Sequence, residues 1–383
     1  MLDRNCGILT PYLALDQASL LSTDMDRYIG TAAREKIVRD VAESALTLLK
    51  NVRPEDDSRG LPLNNPKDLT LAGSAAAPAH CGMLNNFAPI YAPSPYAIDP
   101  LAGIRPRGGS KEERPVIVDG YYSDDPTAGY ADSHNPARGN ASFLDIKLAL
   151  GSPAVVFVSA ISMESADRPD LKLANGGNEL ISYVSDRHND TIIVVTAPGP
   201  VDMSAWVDHA NVSSILFVYF PTIEGGNAIP SVLFCDVSPS GKLPFAIAEN
   251  VEDYPDAIYN GSVTINPIAN FTEGVFTDYK YFDAKNITPL YEFGYGMSYT
   301  DFSFSDVKIS STKRVSPAPN TGSVGGAEVA QLYLTFPDTT PRAMPVLSLR
   351  GSEKPFLEAG ESKTVSFELR DKDLAYYRRQ RWF

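Results

Sequence analysis

Near-continuous apolar runs separated by helix-spaced segments dominate the middle of the chain. AVVFVSA (154–160), TIIVVTA (191–197) and SILFVYF (214–220) hold almost no polar position. Strict alternation would mark a strand with one wet face, whereas unbroken runs of this length mark strands covered on both faces. Around them, SFLDIKLAL (142–150), GGNELISYVSDRH (176–188) and GGNAIPSVLF (225–234) space their apolar residues by three and four, which predicts helices. The alternation predicts a mostly parallel sheet with helices on both faces, a three-layer α/β/α sandwich.

The flanking segments read differently. From Thr31 to Asn51, Ile37, Val41, Ala45 and Leu49 recur every four residues with Val38, Ala42 and Leu46 beside them, predicting one amphipathic helix. LTLAGSA (69–75) and PVIVDGYY (115–122) are strand candidates, and the proline-rich stretch 76–114 is expected to be loop. After Asn250 the alternation stops in a loop-rich segment dense in Tyr, Phe, Asn and Gly. In the last eighty residues KTVSFEL (363–369) puts Val365, Phe367 and Leu369 on one side, and AQLYLTF (330–336) is a second strand. The turn signals NTGSVGG and EAGES separate them, predicting a small antiparallel β-sandwich.

Composition narrows the function. The 383 residues carry 43% hydrophobic and 21% charged positions, ordinary globular usage with room for two or three domains. A net charge of -14 repels phosphate backbones and anionic lipid, and the only basic run is the terminal RRQRWF. No run approaches the ~18 apolar residues of a membrane span. Neither nucleic acid nor a membrane is therefore an expected partner. Cys6, Cys81 and Cys235 are too few and too scattered for a zinc site or disulfide framework. Asn140, Asn189, Asn211, Asn260, Asn270 and Asn286 all head Asn-x-Ser/Thr acceptors, pointing to a lineage that passes through the secretory pathway. The opening MLDRNCGILTPYLALDQ has no apolar signal-peptide core, so a fragment or a missing true start is expected.

Candidate chemistry is sparse. His80, His134, His188 and His209 lack HExxH spacing, so no metal is expected. GxSxG, GxxxxGK[ST] and GxGxxG are also missing, leaving a serine hydrolase, a phosphate-cradling NTPase and a dinucleotide enzyme without their usual signatures; no cofactor is expected. One loop stands out: directly after AVVFVSA come Glu164, Asp167, Arg168 and Asp170. In open parallel sheets ligands sit beyond the carboxyl ends of the strands, where this loop begins. A structural salt bridge is the competing reading of the Asp–Arg pair.

Seven dispersed segments, in order, carry a resemblance. VAESALTLLKN with LPL, SMESADRPDLKL, TAPGPVDMSAW, VLFCDVSPSGKLPFAIAEN, FTEGVFTDYKYFD, ITPLYEFGYGMSYTDF, and GSVGGAEVAQLYL with LRGSEKPFLEAGESKTVSFELRDKDLAYY resemble the C-terminal part of fungal family 3 glycoside hydrolases, the β-glucosidases. The resemblance implies a residual barrel end and linker over 1–30, the α/β/α domain over 31–250, a connector over 251–297, and a fibronectin type III-like domain over 298–383. In that family a preceding (β/α)₈ barrel carries the aspartate nucleophile, and the sandwich domain lends an acid/base glutamate. Glu164, in Ser-Met-Glu-Ser-Ala-Asp-Arg where relatives often read Ser-x-Glu-Gly-x-Asp-Arg, matches that glutamate, with Asp167 and Arg168 supporting its loop.

The implied reaction is retaining hydrolysis of terminal β-D-glucosyl residues, as in cellulose breakdown, by a secreted glycoprotein. The implied substrates are β-glucosides or cello-oligosaccharides. No Ser-Asp-Trp nucleophile segment occurs in the sequence, so the isolated chain is expected to turn over little or no substrate. A barrel-bearing chain or self-association is the expected partnership. A non-catalytic carbohydrate-binding or scaffold module, or an inactive relic, is the alternative. Ser165, Thr222 and Cys235 replace glycines of the family pattern, and each would strain a backbone held at positive φ.

Overall fold

The computed structural model describes residues 31–52, 59–64, 66, 68–73, 98–107, 117–120, 151–160, 168, 170–174, 176–255, 272–305, 308–309, 313–337, 343–375, 377–378 and 381–382. Met1–Lys36 and Ile37–Phe383 form separate compact units, and all the sheets belong to the second.

Six strands, β1 (Thr47–Asn51), β2 (Leu69–Ala72), β3 (Ile117–Gly120), β4 (Ala154–Ser159), β5 (Thr191–Thr196) and β6 (Val212–Phe217), form one sheet in the order β1-β6-β5-β4-β2-β3. All neighbours run parallel except β1, which is antiparallel to β6. The unbroken apolar runs serve both faces. Val156, Val158, Ile193 and Val195 join one buried cluster, and Val155, Phe157, Ile192 and Val194 join another. Helix α3 (Gly177–Ser185) covers the first face through Leu180, Ile181 and Val184. Opposite it, α2 (Pro100–Ile104) and α4 (Gly225–Leu233) cover the second through Leu101, Ile104, Ile229 and Val232.

Two sequence expectations change here. The helix expected over Thr31–Asn51 ends as α1 (Ala32–Ala45), and Thr47–Asn51 is a strand. Leu48 and Leu49 lie in opposite clusters, which a strand's period of two permits and a helix does not. Within the helix Ala42 is buried, while Ile37 and Val41, expected on the apolar face, are 61% and 63% exposed. Within 76–114, expected to be loop, Asp99 caps α2 by accepting the Ala102 N–H at 2.8 Å. A helix of five residues is too short to show a period. The helix expected over 142–150 lies outside the described residues.

The loop-rich segment after Asn250 also contains a helix, α5 (Tyr279–Lys285), followed by Asn286 in the left-handed conformation. The C-terminal region is antiparallel, as its alternation predicts. β13 (Ser362–Glu368) pairs with β8 (Lys313–Pro319), which pairs with β7 (Lys308–Ile309). β10 (Ala330–Leu334) pairs with β11 (Ser348–Glu353), and β12 (Phe356–Leu357) pairs with β9 (Gly326–Ala327). Helix α6 (Asp371–Leu374) and a short pairing of β14 (Tyr377–Arg378) with β15 (Arg381–Trp382) follow. Val365 is buried and Phe367 half-buried, and the Phe367 ring lies over Gly351 of β11 with no room for a Cβ there.

Candidate active-site crevice and family

Strand order reverses between β2 and β4. From β2 the chain adds β3 on one side, then crosses back to place β4 on the other, with β5 and β6 beyond it. In open α/β sheets such a switch point marks a crevice beyond the carboxyl ends of the strands, the usual ligand position. Gly73, directly after β2, has φ +103, and a Cβ there would sit 2.0 Å from the Phe157 carbonyl oxygen of β4. Only glycine allows the two strands to approach this closely at the crevice floor.

The loop after β4 is held at both ends. Ala160 N–H donates to Thr196 O at 2.9 Å and Ala174 N–H to Ser159 O at 2.8 Å. In between, Arg168 Nη1 donates to Pro200 O at 2.9 Å, and the Asp202 N–H donates to Leu171 O at 2.8 Å. The loops after β4 and β5 are thus laced together by one side chain and one backbone bond. Asp170 Oδ1 accepts the Lys172 N–H at 2.9 Å, closing a local turn. Asp202 Oδ1 accepts from both Ser204 N–H and Oγ.

Sequence reasoning missed a polar cluster that the connector brings against Arg168. Burial pushes the Arg168 guanidinium below its ordinary value, opposed by the charges of Tyr254 and Asp170. Tyr254 donates to Ala246 O at 3.2 Å and accepts the Ala248 N–H at 3.1 Å, and its ring meets Phe282 edge-on. Burial pushes its phenol up to about 12, with Asp278 and Asp202 also raising it and Arg168 opposing. Asp278 Oδ1 accepts the Ala246 N–H at 2.8 Å from a backbone at φ 51, ψ -132, and its Oδ2 is buried with no partner. Such strain in a non-glycine residue collects at functional sites. A single signal was available: FTDYKYFD sets Asp278 among four aromatics, with Asp283 directly after them.

Of the residues singled out from sequence, Glu164 and Asp167 lie outside the described residues, and Arg168 stands at the crevice as above. Asn189 and Asn286 are exposed. Asn211 is half-buried, and its Nδ2 donates to Ser185 O at 2.8 Å. Asn140, Asn260 and Asn270 lie outside the described residues. His188 is buried with Nδ1 3.0 Å from Ser152 O, and His209 Nε2 lies 3.3 Å from Asp186. Among the described residues no His, Cys, Asp and Glu side chains gather to hold a metal, and no helix is long and apolar enough to cross a membrane.

Of the three glycine replacements, Cys235 does sit at positive φ, 64°. It follows the last turn of α4, where its N–H donates to Val232 O and the Asp236 N–H reaches Ser231 O. That is a left-handed helix terminus of the kind glycine favours. Thr222 instead opens a 3₁₀ turn, Thr222–Glu224, without positive φ. Ser165 lies outside the described residues.

Comparison with known proteins agrees with this architecture. Residues 46–299 match the glycosyl hydrolase family 3 C-terminal domain, and residues 328–383 match a fibronectin type III-like domain. The chain is 33% identical over 397 residues to the probable beta-glucosidase D of Aspergillus niger, covering 92% of this chain and 50% of that protein. It is 32% identical over 418 residues to the probable beta-glucosidase D of Emericella nidulans, covering 97% and 50%. Among solved structures, the beta-D-glucoside glucohydrolase of Trichoderma reesei superposes with a TM-score of 0.74 at 31% identity, over 92% of this chain and 52% of that one. A beta-glucosidase of Chaetomella raphigera does so with a TM-score of 0.75 at 30% identity, over 92% and 52%. The chain spans about half the length of the curated relatives it matches. With a family model matched over 46–299, on an α/β sheet followed by an antiparallel fibronectin type III-like region, this chain belongs to glycosyl hydrolase family 3.

Proposed function

We propose that this chain supplies the proton-donating half of a retaining β-glucosidase, with Glu164 as the acid/base residue. The attacking carboxylate comes from a barrel outside these 383 residues. The observation that carries the reading is the reversal of strand order between β2 and β4, since Glu164 follows β4 within five residues of its end at Ser159. Arg168, four residues further on, ties the same loop to Pro200 and, with Asp167, supports the acid.

The chemistry needs two carboxyl groups about 5 to 5.5 Å apart, one attacking the anomeric carbon and one protonating the leaving oxygen. A donor on the sandwich and a nucleophile on the barrel can face opposite sides of the glycosidic bond. Two acids on one short loop, Glu164 and Asp167 or Asp170, cannot. The acid stays protonated until used only if the closed crevice desolvates it.

The substrates in this reading are β-glucosides and cello-oligosaccharides. The protein acts outside the cell, with the exposed Asn189 and Asn286 as its best-placed glycan acceptors. The sequence is divided at about residues 30, 250 and 297. The test is to assay the purified chain on an aryl β-glucoside alone and mixed with a barrel-bearing chain. Turnover only in the mixture supports the reading, and turnover by the chain alone overturns it.

The aromatic-rich segment 254–302 favours a second reading, a carbohydrate-binding module without catalysis. Tyr279 lies 4.9 Å from Phe293 and 6.0 Å from Tyr333, ring centre to ring centre. Calorimetry with cello-oligosaccharides separates the two, because heat of binding that survives Glu164→Ala without any turnover belongs to the module.

A further inference from the structure

The two family domains meet through charged side chains that the sequence places far apart. Lys242, between α4 and the connector, has its Nζ 2.8 Å from Glu328 Oε1 and 3.0 Å from Oε2. The same Nζ donates to Gly296 O at 2.8 Å. Both side chains are nearly covered, at 15% and 14% exposure. Glu328 is the first residue of the segment matched as fibronectin type III-like, and its Oε1 also accepts the Val329 N–H at 3.0 Å. From that domain Lys354 reaches back, donating to Ser44 O at 2.6 Å in the last turn of α1. A cation at a helix carboxyl end is favoured by the helix dipole. Burial, reinforced by Lys242 and opposed by Glu328, pushes the Lys354 ammonium down to about 8.

The backbone beneath this group is drawn close together. A Cβ on Gly241 would lie 2.2 Å from Ala45 O, and one on Gly296 would lie 2.2 Å from Gly241 O. A second contact stands apart from it. The Tyr279 ring packs between Phe293 and Tyr333, and its hydroxyl accepts the Leu349 N–H at 3.0 Å.

We propose that Lys242, Glu328 and Lys354 form a charge clasp that fixes the fibronectin type III-like domain to the α/β domain, making the C-terminal domain a brace for residues 242–248. Those residues carry the polar cluster at the crevice: Ala246 N–H holds Asp278, and Ala246 O and Ala248 N–H hold Tyr254. The clasp acts on protein stability and position alone, so it stands whether or not Glu164 donates a proton. Its energetics are those of a covered ion pair. Removing one partner strands a charge that the fold cannot solvate, whereas neutralising both leaves only a lost attraction.

The test is amide hydrogen exchange on the full chain, comparing Lys242→Met, Glu328→Gln, their double variant and Lys354→Gln with the parent. Each of the two clasp single variants is expected to speed exchange in β10 and β13 at least tenfold while β5 stays within threefold. The double variant is expected to exchange at least fivefold more slowly than the product of the single effects requires, and Lys354→Gln to have the smaller effect. Single variants that leave β10 and β13 within threefold of the parent would overturn the clasp. So would single effects that simply multiply, or a speed-up equal in β5 and β10. Should a single variant fail to fold, a folded double variant supports the clasp and an unfolded one counts against it.

Discussion

Arg168 donates to the carbonyl oxygen of Pro200 across 2.9 Å, joining the loop that leaves β4 to the loop that leaves β5. A guanidinium committed to a backbone acceptor and mostly enclosed is a strut: it holds its own loop at a fixed distance from the neighbouring one. Of the Asp–Arg pair, Arg168 bonds a backbone carbonyl, and Asp167 lies outside the described residues. The carboxylates of Asp170 and Asp202 are engaged in their own turns.

Replacing Arg168 by methionine keeps the aliphatic stem and removes the donor. The expected loss is about 1 to 2 kcal/mol of stability, the cost of an unsatisfied carbonyl and a missing charge-assisted hydrogen bond. Urea denaturation measures it. A change below a few tenths would mean that water substitutes for the guanidinium at Pro200.

Cys235 is the strained position that can be relieved. At φ 64 its side chain pays for a conformation in which glycine is free, so Cys235→Gly is expected to stabilise the chain by about 1 kcal/mol. Thermal unfolding read by circular dichroism should show a higher midpoint. An unchanged or lower midpoint would mean that the Cys235 side chain contributes more than the strain it causes.

Alkaline pH is expected to weaken the fold through its enclosed tyrosines. Burial pushes Tyr219 up to about 12, opposed by its hydrogen bond with Thr47, and Tyr254 likewise to about 12. In the unfolded chain a phenol ionises near ~10. The folded form therefore holds these protons more tightly. Its advantage is complete below pH 10 and is lost as pH rises from there through 12. Stability should fall by up to roughly 2 kcal/mol per phenol across that window. Tyr219→Phe should flatten the fall, measured by urea titration at pH 9 and pH 11.5, and an identical slope in the variant would assign the loss elsewhere.

How much of this was legible in the sequence depended on how far apart the cooperating residues lie. The runs around Val155, Ile193 and Ile215 announced the parallel sheet because each is buried on both faces and alternates with helix-spaced segments. Leu46, Leu48 and Leu49 misled because helix and strand periods both fit a run of so few residues; only pairing with β6 distinguishes them. Val365 and Phe367 were read correctly because an antiparallel strand with one wet face alternates cleanly. The Tyr254 and Asp278 cluster left only the composition of FTDYKYFD as a signal: its meeting with Arg168 depends on the connector, and connectors have no period to read. The β2–β4 crevice was hidden for the same reason, since strand order is a long-range property.

The most direct test of the proton-donor assignment uses leaving groups of different basicity. A general acid matters in proportion to how badly the departing oxygen needs a proton. In the enzyme reconstituted from this chain and a barrel-bearing partner, Glu164→Gln is compared with the parent on cellobiose and on 2,4-dinitrophenyl β-D-glucoside. Bond cleavage in cellobiose should slow by roughly 10² to 10⁴-fold, while the step that releases dinitrophenolate, which departs without help, should stay within a few-fold. Equal losses on both substrates, or no loss on cellobiose, would show that Glu164 is not the donor.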